Sequence, residues 1–175
     1  MKIIIVEGPD SVGKSTISKE LAKILGAKRF RNRNDVKNFY AKTPDITIAE
    51  MMYLVDFLGQ TGEGTLVLDR FHPTEYVYSK VFGRERNEKA VEEMDTRLKS
   101  LNACIVYCYK NEYRKYEDQF IEFEKIEELK AEYISYLTNV TKLPTVWLNT
   151  ASENLEHQIL EILKGLVAVY EKNIL

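Results

Sequence analysis

Gly8, Gly13, Lys14 and Ser15 stand in the stretch EGPDSVGKST at the spacing G-x-x-x-x-G-K-S. Those residue types suit the binding of a polyphosphate. Glycines let backbone N–H groups converge on phosphate oxygens, and the first turn of a following helix adds its positive end. In such a loop Lys14 reaches the β- and γ-phosphates of a nucleoside triphosphate and Ser15 offers its hydroxyl to Mg2+, with Ser11, Val12 and Thr16 completing the cradle. Asp10 is the anomaly, because a carboxylate repels the anions that the loop gathers. It either stabilises its own turn, as Asp often does, or serves a second ligand.

A second set of chemistry-bearing residues lies in DRFHPTEYVYS, residues 69 to 79. A carboxylate such as Asp69 at the end of a strand suits the shell of Mg2+, and an arginine such as Arg70 suits a phosphoryl group. The plainer alternative is a turn-capping Asp followed by a solvated Arg. A basic segment, RFRNRNDVK, carries Arg31 and Arg33.

These residues need a frame. KIIIVE (2–7), TLVLD (65–69), ACIVYCY (103–109) and TVWLN (145–149) read as buried strands, with a weaker one over 27–31. Helical patterns fill 14–25, 46–58, 86–101, 117–137 and 155–170, the last with Ser152 as N-cap. Alternating strands and helices with near-continuous aliphatic strands point to an α/β fold, a three-layer sandwich with a five-stranded parallel sheet and helices on both faces. One domain over 1–175 is expected, with a short lid about 110–118. In a parallel sheet the carboxyl ends of the strands open on one crevice, so Asp69 and Arg70 meet the phosphate loop if their strands adjoin.

The bulk composition excludes other classes. A formal charge of −2 gives no basic footprint for a nucleic-acid polymer. No apolar run reaches the ~18 residues of a membrane span, and MKIIIVEG lacks a signal peptide's apolar stretch, so a cytoplasmic setting is expected. Cys104 and Cys108 lie roughly 13 Å apart along one strand and read as buried thiols rather than a disulfide. His72 has no ligand set at metal spacing. Tyr53, on an apolar helix, reads as packing.

EGPDSVGKST resembles the E-G-x-D-x-x-G-K-S-T loop of thymidylate kinases, and LDRFHPTEYVYS resembles their D-R-[YH]-x-x-S-x-x-A-Y segment, with Thr74 at the Ser and Tyr78 at the Tyr. AEMMYLVDFLGQ is similar to their L-L-F-x-A-D-R-x-Q helix, matching Asp56 and placing Phe57 where that family has Arg. The resemblance covers most of the chain and implies a P-loop kinase that passes the γ-phosphate of MgATP to a dTMP-like deoxynucleoside monophosphate. It implies that Asp10 accepts a hydrogen bond from the acceptor's 3′-hydroxyl. Arg70, with Arg31 or Arg33, holds the acceptor phosphate, and Arg114 or Lys115 closes over the transferring group. Asp56, Phe71 and Tyr78 lie on the acceptor side, Asn149, Thr150, Ala151 and Ser152 border the adenine, and Ser15 and Asp69 hold Mg2+ directly or through water. A homodimer is compatible with it. The chain departs from the family in lacking a glycine pair in RFRNRNDVK and in its short lid, departures that fit a divergent member of the sort found in phages.

Two rivals stand beside this reading. A deoxynucleoside kinase needs a carboxylate base near a 5′-hydroxyl, and Asp35 is the obvious candidate. A non-catalytic nucleotide-binding module needs no transfer chemistry, but leaves DRFHPTEYVYS without a purpose; a guanine-reading N-K-x-D motif is absent from the sequence.

Overall fold

Lys2–Glu7 forms β1, and both of its faces are buried: Ile3 and Ile5 point into one core, Ile4 and Val6 into the other. A strand apolar on both sides is stable only when helices cover both, and the remaining elements supply that cover. The computed structural model describes residues 2–31, 44–61, 64–85, 87–112, 123–151 and 154–172. Along the chain follow α1 (Lys14–Ile24), β2 (Lys28–Arg31), α2 (Pro44–Thr61), β3 (Thr65–Asp69), α3 (His72–Val81) and α4 (Glu88–Ser100). Then come β4 (Ala103–Tyr109), α5 (Phe123–Asn139), β5 (Thr145–Asn149) and α6 (Leu155–Lys172).

The sheet is five-stranded in the order β2-β3-β1-β4-β5, with every pairing parallel. This is the expected three-layer α/β sandwich. Residues of α2, α3, α4 and α5 build the core on one face, around Tyr107, Tyr133, Tyr136, Met94 and Leu98. α1 and α6 build the other, around Ile17, Leu21, Ile159 and Ile162. α6 lies close on β5 because Gly165 leaves no room for more: a Cβ there would press on Val146.

Four local expectations differ from the structure. α3 lies where no helix was read, since Tyr76, Val77 and Tyr78 are adjacent apolar residues with no helical period; Pro73 in its first turn costs no hydrogen bond. The last helix is capped by Asn154, whose Oδ1 accepts from His157 N–H at 3.0 Å, while Ser152 lies outside the described residues. α4 starts after Asn87, whose side chain accepts from Ala90 N–H at 3.0 Å. Tyr53 is 76% exposed rather than packed, because Met51 and Val55 take the buried face of α2. Cys104 and Cys108 are buried free thiols, as expected.

Candidate active site

The loop between β1 and α1 begins at Gly8, whose φ of +139° suits glycine alone and whose missing Cβ leaves space for the Cys108 carbonyl beneath it. Val12 anchors the loop from inside, fully buried in the α1–α6 core. Gly13, at φ +80°, caps α1. That helix carries no acidic residue in its first turn, so its positive end stays uncompensated, as an anion site requires. Ser11, with φ +60°, shapes the loop's middle, and Ser15 and Thr16 open the helix.

Lys14 is buried and donates from Nζ to the carbonyl oxygen of Pro9 in its own loop. Burial, with Arg70 nearby, lowers its ammonium from 10.5 to about 7. A polyphosphate in the loop would add counter-charge to that of Asp10 and Glu7.

Arg70 meets Asp10. β3 pairs with β1 in a register that sets Asp69 beside Val6, which brings the residue after β3 to the phosphate loop. Arg70 Nη2 pairs with Asp10 Oδ1. Its Nη1 lies 3.3 Å from the Tyr78 hydroxyl and 3.5 Å from Thr74 Oγ1. Tyr78 donates to Asp10 Oδ2 at 2.6 Å, and burial pushes its phenol well above the usual range, so it remains a donor at neutral pH. The carboxylate in the loop is therefore paired with an arginine and hydrogen-bonded by a phenol from the neighbouring segment.

Glu7 underpins this arrangement, and no role was read for it from the sequence. Fully buried at the end of β1, it accepts from Phe71 N–H at 2.6 Å, Thr74 Oγ1 at 2.7 Å and Tyr133 OH at 3.0 Å. It ties the strand that carries the phosphate loop to α3 and α5. The signal in the sequence was its place: an acidic residue ending an aliphatic strand just before a glycine. Tyr133 had no such signal.

Asp69 is 2% exposed, and its Oδ2 pairs with Arg29 and lies 3.7 Å from Arg31 Nε. Arg29 also donates to Ser18 Oγ at 2.9 Å. Arg31 is thus brought to the crevice, and Arg29 joins it unforeseen. With Oδ2 already held by guanidinium, Asp69 suits a hydrated Mg2+ that arrives with the nucleotide better than a bare ion. Among the described residues no group of three or more His, Cys, Asp or Glu stands ready to hold a metal. Asn149 ends β5, the strand beyond β4, and Thr150 and Ala151 follow it. Thr150 donates N–H to the Tyr109 carbonyl at 2.7 Å, and Asn149 Oδ1 accepts from Ala151 N–H at 2.9 Å.

Two residues are not brought to this cluster as read. Phe71 is 0% exposed and packs inside the α2–α5 core, so its ring offers no surface to a base. Asp56 is exposed and pairs with Arg97 Nη1 at 2.5 Å, bridging α2 to α4. Arg33, Asp35, Arg114, Lys115 and Ser152 lie outside the described residues.

No family model matches the chain, and no curated protein matches it in sequence. Solved structures do match its fold. The Bacillus subtilis YorR protein in complex with phosphorylated GDP is 21% identical with a TM-score of 0.67, over 97% of this chain and 98% of that one. Deoxyadenosine kinase from M. mycoides with bound dATP is 22% identical with a TM-score of 0.57, over 95% of this chain and 98% of that one. Thymidylate kinase from Ehrlichia chaffeensis is 16% identical with a TM-score of 0.56, over 94% of this chain and 98% of that one. No described helix is long and apolar enough to cross a membrane. With a G-x-x-x-x-G-K-S loop between β1 and α1 and Asp69-Arg70 at the end of the adjoining strand, the chain shares the P-loop fold of these kinase structures.

Proposed function

We propose that this protein is an ATP-dependent deoxynucleoside monophosphate kinase that transfers the γ-phosphate of MgATP to a dTMP-like deoxynucleotide. One observation carries the reading: Asp10, inside the donor loop, is turned onto Arg70 and Tyr78 of the next segment. That pairing suits a loop serving two ligands. Gly8, Ser11, Val12, Gly13, Lys14, Ser15 and Thr16 take the ATP phosphates, and Asn149 to Ser152 border the adenine. Asp10 takes the acceptor's sugar hydroxyl while Arg70, Arg31 and Arg33 take its phosphate. A monophosphate oxygen is already a nucleophile at neutral pH, so positioning and charge neutralisation by Lys14, Arg70, Arg114 and Mg2+ carry the catalysis.

A deoxynucleoside kinase is the second reading, favoured by the fold shared with the M. mycoides enzyme. It needs a carboxylate base at the 5′-hydroxyl. Among the described residues Glu7, Asp10 and Asp69 each already accept from donors in the site, which supports the monophosphate reading; Asp35 lies outside them. A coupled ADP-release assay with MgATP against nucleosides and monophosphates of all four deoxy series decides between them. Turnover of a deoxynucleoside monophosphate is expected. Turnover of nucleosides alone rejects the proposal, and silence across the panel points to a binding module.

A further inference from the structure

Arg70 owes its direction to a strained backbone. Its φ of +66° is left-handed, a region that a side-chain-bearing residue keeps only where its surroundings enforce it. Two bonds enforce it from β1: Arg70 N–H to the Val6 carbonyl at 3.1 Å, and Phe71 N–H to Glu7 at 2.6 Å. The third anchor comes from the opposite side. His72, the first residue of α3 and 0% exposed, lies with Nε2 3.0 Å from Asp95 Oδ1 on α4.

Asp95 is itself held rigidly. Thr141 Oγ1 donates to its two oxygens at 2.7 and 2.9 Å, Lys142 N–H donates at 2.5 Å and Tyr136 OH at 3.4 Å. Burial works against its charge, but the bonds from His72, Lys142 and Thr141 outweigh it and hold the carboxyl below its usual range. The first residue of α3 is thereby fixed to α4 and to the connection between α5 and β5.

Packing alone does not account for this pair. The His72 ring meets Phe71 and Tyr136 edge to face, at centroid distances of 5.7 and 6.4 Å, which an apolar ring could do equally well. Its Nδ1 is buried without a hydrogen-bond partner among the described residues. A buried polar pair is usually no more stable than well-packed apolar residues. What it adds is direction, since the imidazole must lie where Nε2 meets Asp95.

We infer that His72 and Asp95 are positioning residues, a strut that sets where α3 begins and so holds Arg70 turned onto Asp10. The functional consequence rests on the kinase reading above; the structural one does not. The test uses the full chain with His72→Leu, His72→Gln and Asp95→Asn, first without substrate. In protein labelled with 15N-arginine, hydrogen exchange of the Arg70 Nη protons reports the Arg70–Asp10 pair. His72→Leu and Asp95→Asn are expected to speed it at least tenfold, and His72→Gln, whose amide reaches the same oxygen, to restore it. Kinetics then follow on the monophosphate that the wild type turns over. The acceptor kcat/KM of His72→Leu is expected to fall about tenfold to a hundredfold, with the KM for ATP within twofold.

Unchanged Arg70 exchange in either folded variant overturns the strut, whatever the substrate is. So does an equal loss toward both substrates, or His72→Gln behaving as His72→Leu does. If His72→Leu does not fold, Asp95→Asn decides alone. Wild type inactive on every monophosphate, with Arg70 exchange still speeded in the variants, overturns the kinase reading and leaves the strut standing.

Discussion

The Tyr78 hydroxyl donates to Asp10 Oδ2 at 2.6 Å across a sequence separation of 68 residues, while Arg70 pairs with the other carboxylate oxygen. A carboxylate that would repel nucleotide phosphates is thus held and neutralised from the side, leaving the α1 end of the loop to the anion.

On the kinase reading proposed above, removing that phenol is expected to act on the acceptor alone. Tyr78→Phe deletes a bond to a charged partner, worth roughly 1.5–3 kcal/mol. We expect an acceptor kcat/KM reduced about tenfold or more, Asp10→Asn a larger loss, and neither to change the KM for ATP more than twofold. Initial rates with each substrate varied in turn check this. An effect on ATP equal to that on the acceptor would show that Asp10 serves the donor.

Lys14 titrates at about 7 in the free protein because burial, with Arg70 beside it, disfavours its charge. At pH 8 it is mostly neutral, and a bound polyphosphate restores the ammonium, so binding takes up a proton. Isothermal titration of ATP in buffers of different ionisation enthalpy is expected to show net proton uptake at pH 8, less at pH 6, and none in Lys14→Met. Lys14→Met is also expected to lower transfer at least a hundredfold, through loss of charge stabilisation.

Gly8 and Gly13 both have positive φ, but only Gly8 faces backbone: its Cβ would collide with the Cys108 carbonyl, whereas Gly13 has nothing within 4 Å. Gly13→Ala is expected to cost about 1–2 kcal/mol of conformational strain. Gly8→Ala adds a steric clash and is expected to cost clearly more, by urea denaturation of the two variants side by side.

Glu75 is 8% exposed, and burial, opposed by Arg84, raises its carboxyl from 4.5 to about 7. Between those values the folded protein holds a proton that the unfolded chain has released. This contribution to stability is full below pH 4.5, falls as pH rises toward 7, and is lost above it. Glu75→Gln is expected to stabilise the protein at pH 8 by on the order of 1–3 kcal/mol relative to its effect at pH 4. Melting curves across that range measure it.

Legibility in the sequence followed the range of the forces. β1, β3 and β4 were readable because each is an apolar run buried on both faces; β2, with all four residues exposed, gave the weakest signal. The phosphate loop was readable because glycine, lysine and serine act within eight residues. α3 was hidden because its apolar side chains adjoin one another and its cover comes from α4 and α5, and Tyr53 looked buried because apolarity does not say which face of α2 meets the core. Phe71, expected on the acceptor side, is fully buried in the core, a placement that only the turn at Arg70 and the packing around it decide.

By itself the sequence determined an α/β chain with a G-x-x-x-x-G-K-S loop between a buried strand and a helix, since local spacing and burial specify both. Only the tertiary structure decided what surrounds Asp10. That outcome depends on β3 lying beside β1 rather than at the edge, and on Glu7 and Asp95 gripping the turn between β3 and α3 from two sides. Arg70 meets Asp10 and Phe71 meets Glu7 across 60 and 64 residues, and His72 meets Asp95 across 23, separations that no local pattern encodes.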